Sequence, residues 1–322
     1  MMWLDLFAGH GVGVALRDMG WGDVAVEKWD VAQEVRALNG LSAPIYEDAW
    51  DIHLSAGVHY VDGIWASPPC QSFSAVRAGA AQKNNDVARV LSLLDSGVWQ
   101  NMDYLKKDAE FLGDERSGLV LTPLTYTLYH GPRYVVLEQV VPVLPIWEGI
   151  ARQLETLGYS TWTGVLDAAD YGVPQNRRRA YLIARNDGTP ATPPSKAPAQ
   201  VTMYEAVGWG FTERCSPTLT GHLTVTRSPT GTQNIFRNAI ETGKFVFRPG
   251  NDGKPSKTAT NGIGSEYPPD AINYTLEDAL VLQSYPRDFE LYGSKADKQL
   301  SIGNAVPPLL AKRIFQHLTR KE

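Results

Sequence analysis

The chain carries two cysteines, and Cys70 stands where a sulfur nucleophile could work, in Ser67-Pro68-Pro69-Cys70-Gln71-Ser72 directly after the apolar run Val61-Asp62-Gly63-Ile64-Trp65-Ala66. Two prolines fix φ at consecutive positions and force the residue before them out of helical geometry, so a stiff loop at a strand end presents the thiol. Addition to an electrophilic carbon is the chemistry open to it once a helix end or nearby cations favour the thiolate. A small buried hydrophobe is the ordinary alternative for a cysteine, and the hexapeptide alone does not exclude it. Carboxylates also stand at strand ends, Glu27 after Val24-Ala25-Val26 and Glu138 after Tyr134-Val135-Val136-Leu137. In Gln175-Asn176-Arg177-Arg178-Arg179, an extended strand puts Arg177 and Arg179 on one face and turns Arg178 away. Gly9, Gly11 and Gly13 in Ala8-Gly9-His10-Gly11-Val12-Gly13 let backbone approach a ligand at a helix start. No Gly-Lys-Ser/Thr follows, which separates this turn from a phosphate loop.

The elements that must position these groups follow from the pattern. Trp3-Leu4-Asp5-Leu6-Phe7 reads as a short buried strand, and the glycine turn leads into a helix at Val14-Ala15-Leu16-Arg17-Asp18-Met19. Apolar strands that stop at polar or special residues, with helical stretches between, predict a parallel α/β sheet with its site at the carboxyl ends of the strands. Ala180-Tyr181-Leu182-Ile183-Ala184 is a further strand, and the proline-rich stretch that opens at Thr189-Pro190 reads as a linker. Beyond it the chain to about residue 267 is rich in Thr, Gly, Ser and Pro, which predicts short strands and long loops with one helical stretch near 234–242. Thr275 with Asp278 forms a capping-box pattern that opens a helix. After Pro307-Pro308, Leu310, Ile314 and Leu318 recur every fourth residue beside Ala311 and Phe315, an apolar stripe that predicts docking back on the large domain. The expected division is 1–188, 189–267 and 268–322.

At 322 residues, with 43% hydrophobic and 20% charged content, the chain can bury a full core as one large domain or two unequal ones. Cys70 and Cys215 lie too far apart to suggest a disulfide framework or a Cys-x-x-Cys metal site, so no metal is expected and a reducing cytoplasm fits. Neither a basic n-region with an apolar run at the start nor a long apolar stretch later predicts secretion or membrane insertion. The net charge of -5 argues against a nonspecific nucleic-acid packager. Locally the balance reverses: residues 210–260 hold Arg214, Arg227, Arg237, Lys244, Arg248, Lys254 and Lys257 against Glu213, Glu241 and Asp252. That asymmetry suits a phosphate-contacting segment, and equally a solvated basic surface.

Taken in order, Asp5-Leu6-Phe7-Ala8-Gly9-His10-Gly11, Glu27, Asp48, Pro69-Cys70-Gln71, Glu138-Gln139-Val140, Gln175-Asn176-Arg177-Arg178-Arg179 and Gly303-Asn304-Ala305-Val306 resemble the DNA cytosine carbon-5 methyltransferase family, of type II restriction-modification or phage-like kind. Each phrase is common; their order over nearly the whole chain is not. The resemblance implies a Rossmann-like S-adenosylmethionine-dependent methyltransferase fold: residues 1–188 as catalytic and cofactor-binding domain, 189–267 as a smaller loop- and strand-rich target recognition domain, and 268–322 returning to the first. It implies S-adenosylmethionine bound by Phe7, Gly9, Gly11, Gly13, Glu27 at the ribose, Asp48 and Ala49 with Lys28 or Trp29 near the adenine, Pro69, and Asn304, Ala305 and Val306. Without that resemblance Glu27 could equally be a solvated strand-end carboxylate.

Cytosine carbon 5 is too electron-poor to attack a methyl sulfonium directly, so a nucleophile must first add at carbon 6. The resemblance gives that role to Cys70, protonation or hydrogen bonding of ring nitrogen 3 to Glu138, and contacts beside a flipped cytosine to Arg177 and Arg179. Gln71, Ser72, Arg178, Arg214, Arg227 and Lys257 are the expected contacts to double-stranded DNA, with the protein monomeric and Gln175 a buttress. The segment 72–99 is expected to be mobile and to close over DNA. Two departures stand out: Gln139 replaces the family's usual asparagine, and the stretch from Cys70 to Glu138 is long. The alternatives are a transfer-RNA cytosine methyltransferase and a noncatalytic DNA-binding regulator.

Overall fold

The computed structural model describes residues 1–46, 48–51, 60–69, 73, 80–221, 224–226, 238–248, 260–261 and 271–320. Short strands rich in Val, Ile, Leu and Trp alternate with helices from the start: β1 Met2–Leu6, α1 Gly11–Asp18, β2 Gly22–Val26, α2 Asp30–Leu38, β3 Pro44–Tyr46 and β4 Gly63–Ala66. Then come α3 Ala80–Ser96, α4 Met102–Ala109, α5 Thr122–His130, β5 Tyr134–Gln139, α6 Leu144–Thr156, β6 Ser160–Asp167 and β7 Arg178–Arg185. These strands form a seven-stranded sheet of order β3-β2-β1-β4-β5-β7-β6. β1 pairs in parallel with both β2 and β4, and β4 with β5.

β7 departs from the expected parallel sheet by running antiparallel to β5, with Glu138 opposite Tyr181 and Gln139 opposite Ala180. The reason is the short link from β6 at Asp167 to β7 at Arg178. A parallel return needs a crossover of about a dozen residues or more, usually a helix, whereas an antiparallel one needs only a turn.

Strand alternation sends side chains to both faces, and both are buried. Leu4, Leu6, Ile64, Val135, Leu137 and Leu182 join a core with Trp147, Ile150 and Leu154 of α6. The apolar stripe near the C-terminus docks as expected: the Phe315 ring lies 4.6 Å from Trp3 and 5.2 Å from Trp65, edge-on to both.

The long interval before Glu138 is helical. Val90 and Leu94 of α3, Trp99, and Met102 and Leu105 of α4 are all buried in the core. α3 comes close to α6 at Gly149, where a Cβ would stand 2.6 Å from Leu94 Cδ2. The expectation of a mobile segment over 72–99 is therefore corrected from Val90 onward, where buried apolar side chains tie the chain down; 72 and 74–79 lie outside the described residues.

Two compact units emerge, Met1–Leu166 with Arg178–Pro194 and Lys312–Glu322, and Asp167–Arg177 with Ser195–Ala311. The second holds a ribbon pairing Gly210–Phe211 with Phe245–Val246 and a small antiparallel sheet of Thr224–Thr226, Ala271–Asn273 and Thr260–Asn261. Its helices include Leu276–Leu282, opened by the capping box read from sequence, and Lys295–Asn304. Of the helical stretch expected near 234–242, residues 238–241 are helical and 234–237 lie outside the described residues.

Candidate active site at the carboxyl ends of the strands

β1 ends in a backbone that only special residues tolerate. Phe7 and Gly9 take left-handed φ values of 59° and 45°, and α1 starts two residues later, after His10. The His10 side chain makes no cap bond to α1, so the helix start keeps its positive dipole end for a ligand. Gly11 and Gly13 are buried inside α1. Glu27, at the end of β2, accepts from the Gly9 amide at 2.8 Å and the Trp29 amide at 2.7 Å, one through each oxygen. Each oxygen retains a lone pair, so the carboxylate still has acceptor capacity. Asp48 accepts from Lys28 Nζ at 3.0 Å and from the Trp50 amide at 3.1 Å. Burial pushes the Asp48 carboxyl up, but the Trp50 amide and the Lys28 ammonium outweigh it and hold it below its ordinary value. Ala49 is buried beside it, while Lys28 is largely exposed.

The parallel register of β4 and β5 sets Ala66 opposite Leu137, so Glu138 and the diproline loop leave neighbouring strand ends. Glu138 is 5% exposed, and Arg179 Nε stands 3.4 Å from its Oε1. The next residue braces the loop: Gln139 donates from Nε2 to the Pro68 carbonyl and accepts from the Val140 amide at 2.5 Å. The longer amide thus spans to the proline loop in place of the family's asparagine. Pro69 is half-buried, Arg178 is exposed at the start of β7, and Cys70, Gln71 and Ser72 lie outside the described residues. Cys215 is disqualified as the nucleophile: it is buried against the Val201 carbonyl, and burial, with Asp167 adding to it, pushes its thiol up to about 11.

Arg177 stands just outside the strand in which it was expected to alternate with Arg179. It precedes β7, held by its amide to Asp167 at 2.8 Å and by its carbonyl to the Ala168 amide at 3.1 Å, and belongs to the second unit while Arg179 belongs to the first. Its buried guanidinium donates to the Gly303 carbonyl at 3.0 Å. Gln175, expected to brace the arginine strand or the Cys70 loop, bonds instead to segments of the second unit. Fully buried, it donates to Gln283 at 2.7 Å and to the Leu282 carbonyl at 3.2 Å, and accepts from the Leu219 amide at 2.9 Å. Gln283 passes the chain on to the Ile302 and Ala305 carbonyls at 2.8 and 3.1 Å. Asn304 is exposed at the end of its helix, and Ala305 and Val306 are buried after it.

The basic stretch is partly spent on the protein itself. Arg248 pairs with Asp278 and covers the Trp209 ring at 4.9 Å, Lys244 pairs with Glu213 at 2.7 Å, and Arg214 lies 5.4 Å over Phe211. Arg227, Arg237, Lys254 and Lys257 lie outside the described residues. No cluster of three or more metal-ligating side chains occurs among the described residues, and no described helix is long and apolar enough to cross a membrane.

Sequence reasoning missed Arg36 and Gln283. Arg36 is a buried arginine on an amphipathic helix, where an arginine reads as solvated; Gln283 reads as an ordinary polar residue after a helix.

Comparison with known proteins finds relatives over most of the chain. The type II methyltransferase M1.HphI of Haemophilus parahaemolyticus is 28% identical over 281 residues, covering 80% of this chain and 68% of that protein. The type II methyltransferase M.DdeI of Desulfomicrobium norvegicum is 24% identical over 397 residues, covering 98% and 88%. The crystal structure of S. pombe Dnmt2 methyltransferase superposes with a TM-score of 0.61 at 15% identity, over 99% of this chain and 98% of that one, a likeness of fold. The family model described as C-5 cytosine-specific DNA methylase matches residues 108–320, a span that includes Glu138, Arg177, Arg179 and Asn304. The chain therefore belongs to the C-5 cytosine-specific DNA methylase family and is a DNA cytosine-5 methyltransferase.

Proposed function

We propose that the protein methylates carbon 5 of a cytosine extruded from double-stranded DNA, using S-adenosylmethionine and a transient covalent bond from Cys70. The observation that carries this reading is the parallel pairing of β4 with β5, which sets Glu138 beside the proline loop that leads to Cys70, with Gln139 bracing that loop. When bound, S-adenosylmethionine supplies an electrophilic methyl group. The residues at the strand ends fit it: positive-φ backbone at Phe7 and Gly9, an uncapped helix start, and the carboxylates of Glu27 and Asp48 at a distance from the acid of β5 set by the intervening strands.

The Cys70 thiolate adds to carbon 6 of the ring, and Glu138 shares a proton with nitrogen 3 as negative charge builds there. Arg179 keeps that carboxyl oriented and retains donors for the cytosine carbonyl oxygen. Loss of the carbon-5 proton after transfer returns the ring electrons and expels the thiolate. Extrusion of the base costs a few kcal/mol, which contacts from the protein must offset. Residues 189–267 serve as the recognition segment, and the relatives named as type II methyltransferases support a restriction-modification setting.

The test is a duplex carrying 5-fluorocytosine, incubated with S-adenosylmethionine, alongside transfer RNA and unmodified duplex. A denaturation-resistant adduct mapping to Cys70 is expected on the DNA, with none from Cys70→Ala. Methylation of duplex by Cys70→Ala at the wild-type rate, or methylation of transfer RNA alone, overturns the proposal.

A further inference from the structure

Arg36 is wholly buried, and its guanidinium is divided among four places in the first unit. Nε donates to the Ser42 carbonyl at 2.8 Å, Nη1 donates to the Gly9 carbonyl at 3.2 Å, and Nη2 pairs with Asp23. Nη1 also lies 3.9 Å from Oδ2 of Asp5, which is 1% exposed and whose oxygens take no hydrogen bond among the described residues. The Gly9 peptide is thus held from both sides, its amide by Glu27 and its carbonyl by Arg36. Gly13 makes room for this: a Cβ there would stand 2.9 Å from Nη1 and 3.3 Å from Nη2. Gly13 therefore answers to Arg36, a reason distinct from the close ligand approach expected of it.

We propose that Arg36 is a positioning residue for the methyl donor, its buried guanidinium clamping the Gly9 peptide in left-handed geometry, with Gly13 as the space that admits it. This rests on the reading of the glycine turn as the S-adenosylmethionine loop. Arginine alone suits the place: a planar fork reaches several acceptors at once, whereas a lysine ammonium is a point charge that satisfies one side. Burial drives the Asp5 carboxyl well above its ordinary value while Arg36 pulls it down, so the guanidinium is the charge that this pocket is arranged around.

The experiment measures binding of S-adenosylhomocysteine by calorimetry, without DNA, to wild type, Arg36→Lys and Gly13→Ala, together with thermal unfolding and duplex affinity. Arg36→Lys keeps the charge, and Gly13→Ala keeps Arg36 and favours the helix, so each variant is expected to fold. Both should bind S-adenosylhomocysteine about tenfold more weakly, the size of one charge-assisted hydrogen bond. In assays, KM for the methyl donor should rise while KM for DNA does not. A role in stability alone would lower the unfolding temperature and leave the affinity at the wild-type value, and that result in either folded variant overturns the proposal. Wild-type protein that fails to bind S-adenosylhomocysteine overturns instead the reading of the loop on which it rests.

Discussion

Of the chain's two thiols, Cys70 and Cys215, the second is held protonated by its surroundings. Burial, with Asp167 adding to it, raises Cys215 from 9.0 to about 11, so the folded state keeps this proton over a range where the unfolded chain releases it. The contribution to stability is complete below pH 9 and disappears as pH rises toward 11. Cys215→Ala should accordingly flatten the alkaline decline in urea-unfolding free energy, and a slope identical to wild type would contradict this. The same burial leaves Cys215 unmodified when folded protein meets iodoacetamide at neutral pH, which peptide mapping checks. Glu138 carries the second expectation. Glu138→Gln keeps the size of the side chain but cannot cycle a proton, and general acid catalysis contributes roughly 10²–10⁴-fold. Single-turnover methylation should slow by about that factor while duplex binding persists; a rate near wild type would remove the acid from the mechanism.

How far an element could be read depended on whether its cause was local. β1 with its glycine turn, β4 with its diprolines, and the Thr275–Asp278 capping box are written in consecutive residues, and all three form. The apolar stripe near the C-terminus was equally legible, because spacing alone places Ile314, Phe315 and Leu318 on one face. The start of β7 was less legible: Arg177 precedes it by one residue, and the bonds from Asp167 and Ala168 that hold it come from another segment. The helix α3 falls within the segment 72–99 read as mobile, because Gly79, Asn84 and Asn85 mask the apolar positions Val90 and Leu94 further on. Gly303 is a glycine whose reason lies wholly in packing. A Cβ there would stand 2.5 Å from backbone atoms of Thr220 and Gly221, which cannot give way as a flexible side chain does. Gly303→Ala should cost about 1–3 kcal/mol as an overpacked site. Calorimetric unfolding measures it, and an unshifted transition would mean that the 220–221 backbone moves aside.

An acidic molecule that acts on DNA must gather its positive charge locally, and the structure narrows where that charge is. The net charge of -5 gives no general attraction to a polyanion, so affinity has to come from a few phosphate contacts. Lys244 and Arg248 are already paired, with Glu213 and Asp278, and the neighbouring carboxylate offsets much of each cation's attraction for a phosphate. Arg178 is different: exposed at the first position of β7, it sits next to the arginine that holds Glu138. A cation placed there can take a phosphate near the reacting nucleotide without reading any base, which fixes the strand but not the sequence. Arg178→Ala should therefore weaken binding by a similar factor on cognate and unrelated duplexes, and lower the slope of log affinity against log salt by about 1. Lys244→Ala should leave both unchanged. Fluorescence anisotropy over a salt series separates the two, and an Arg178→Ala variant that loses affinity only for the cognate site would assign this side chain to base recognition instead.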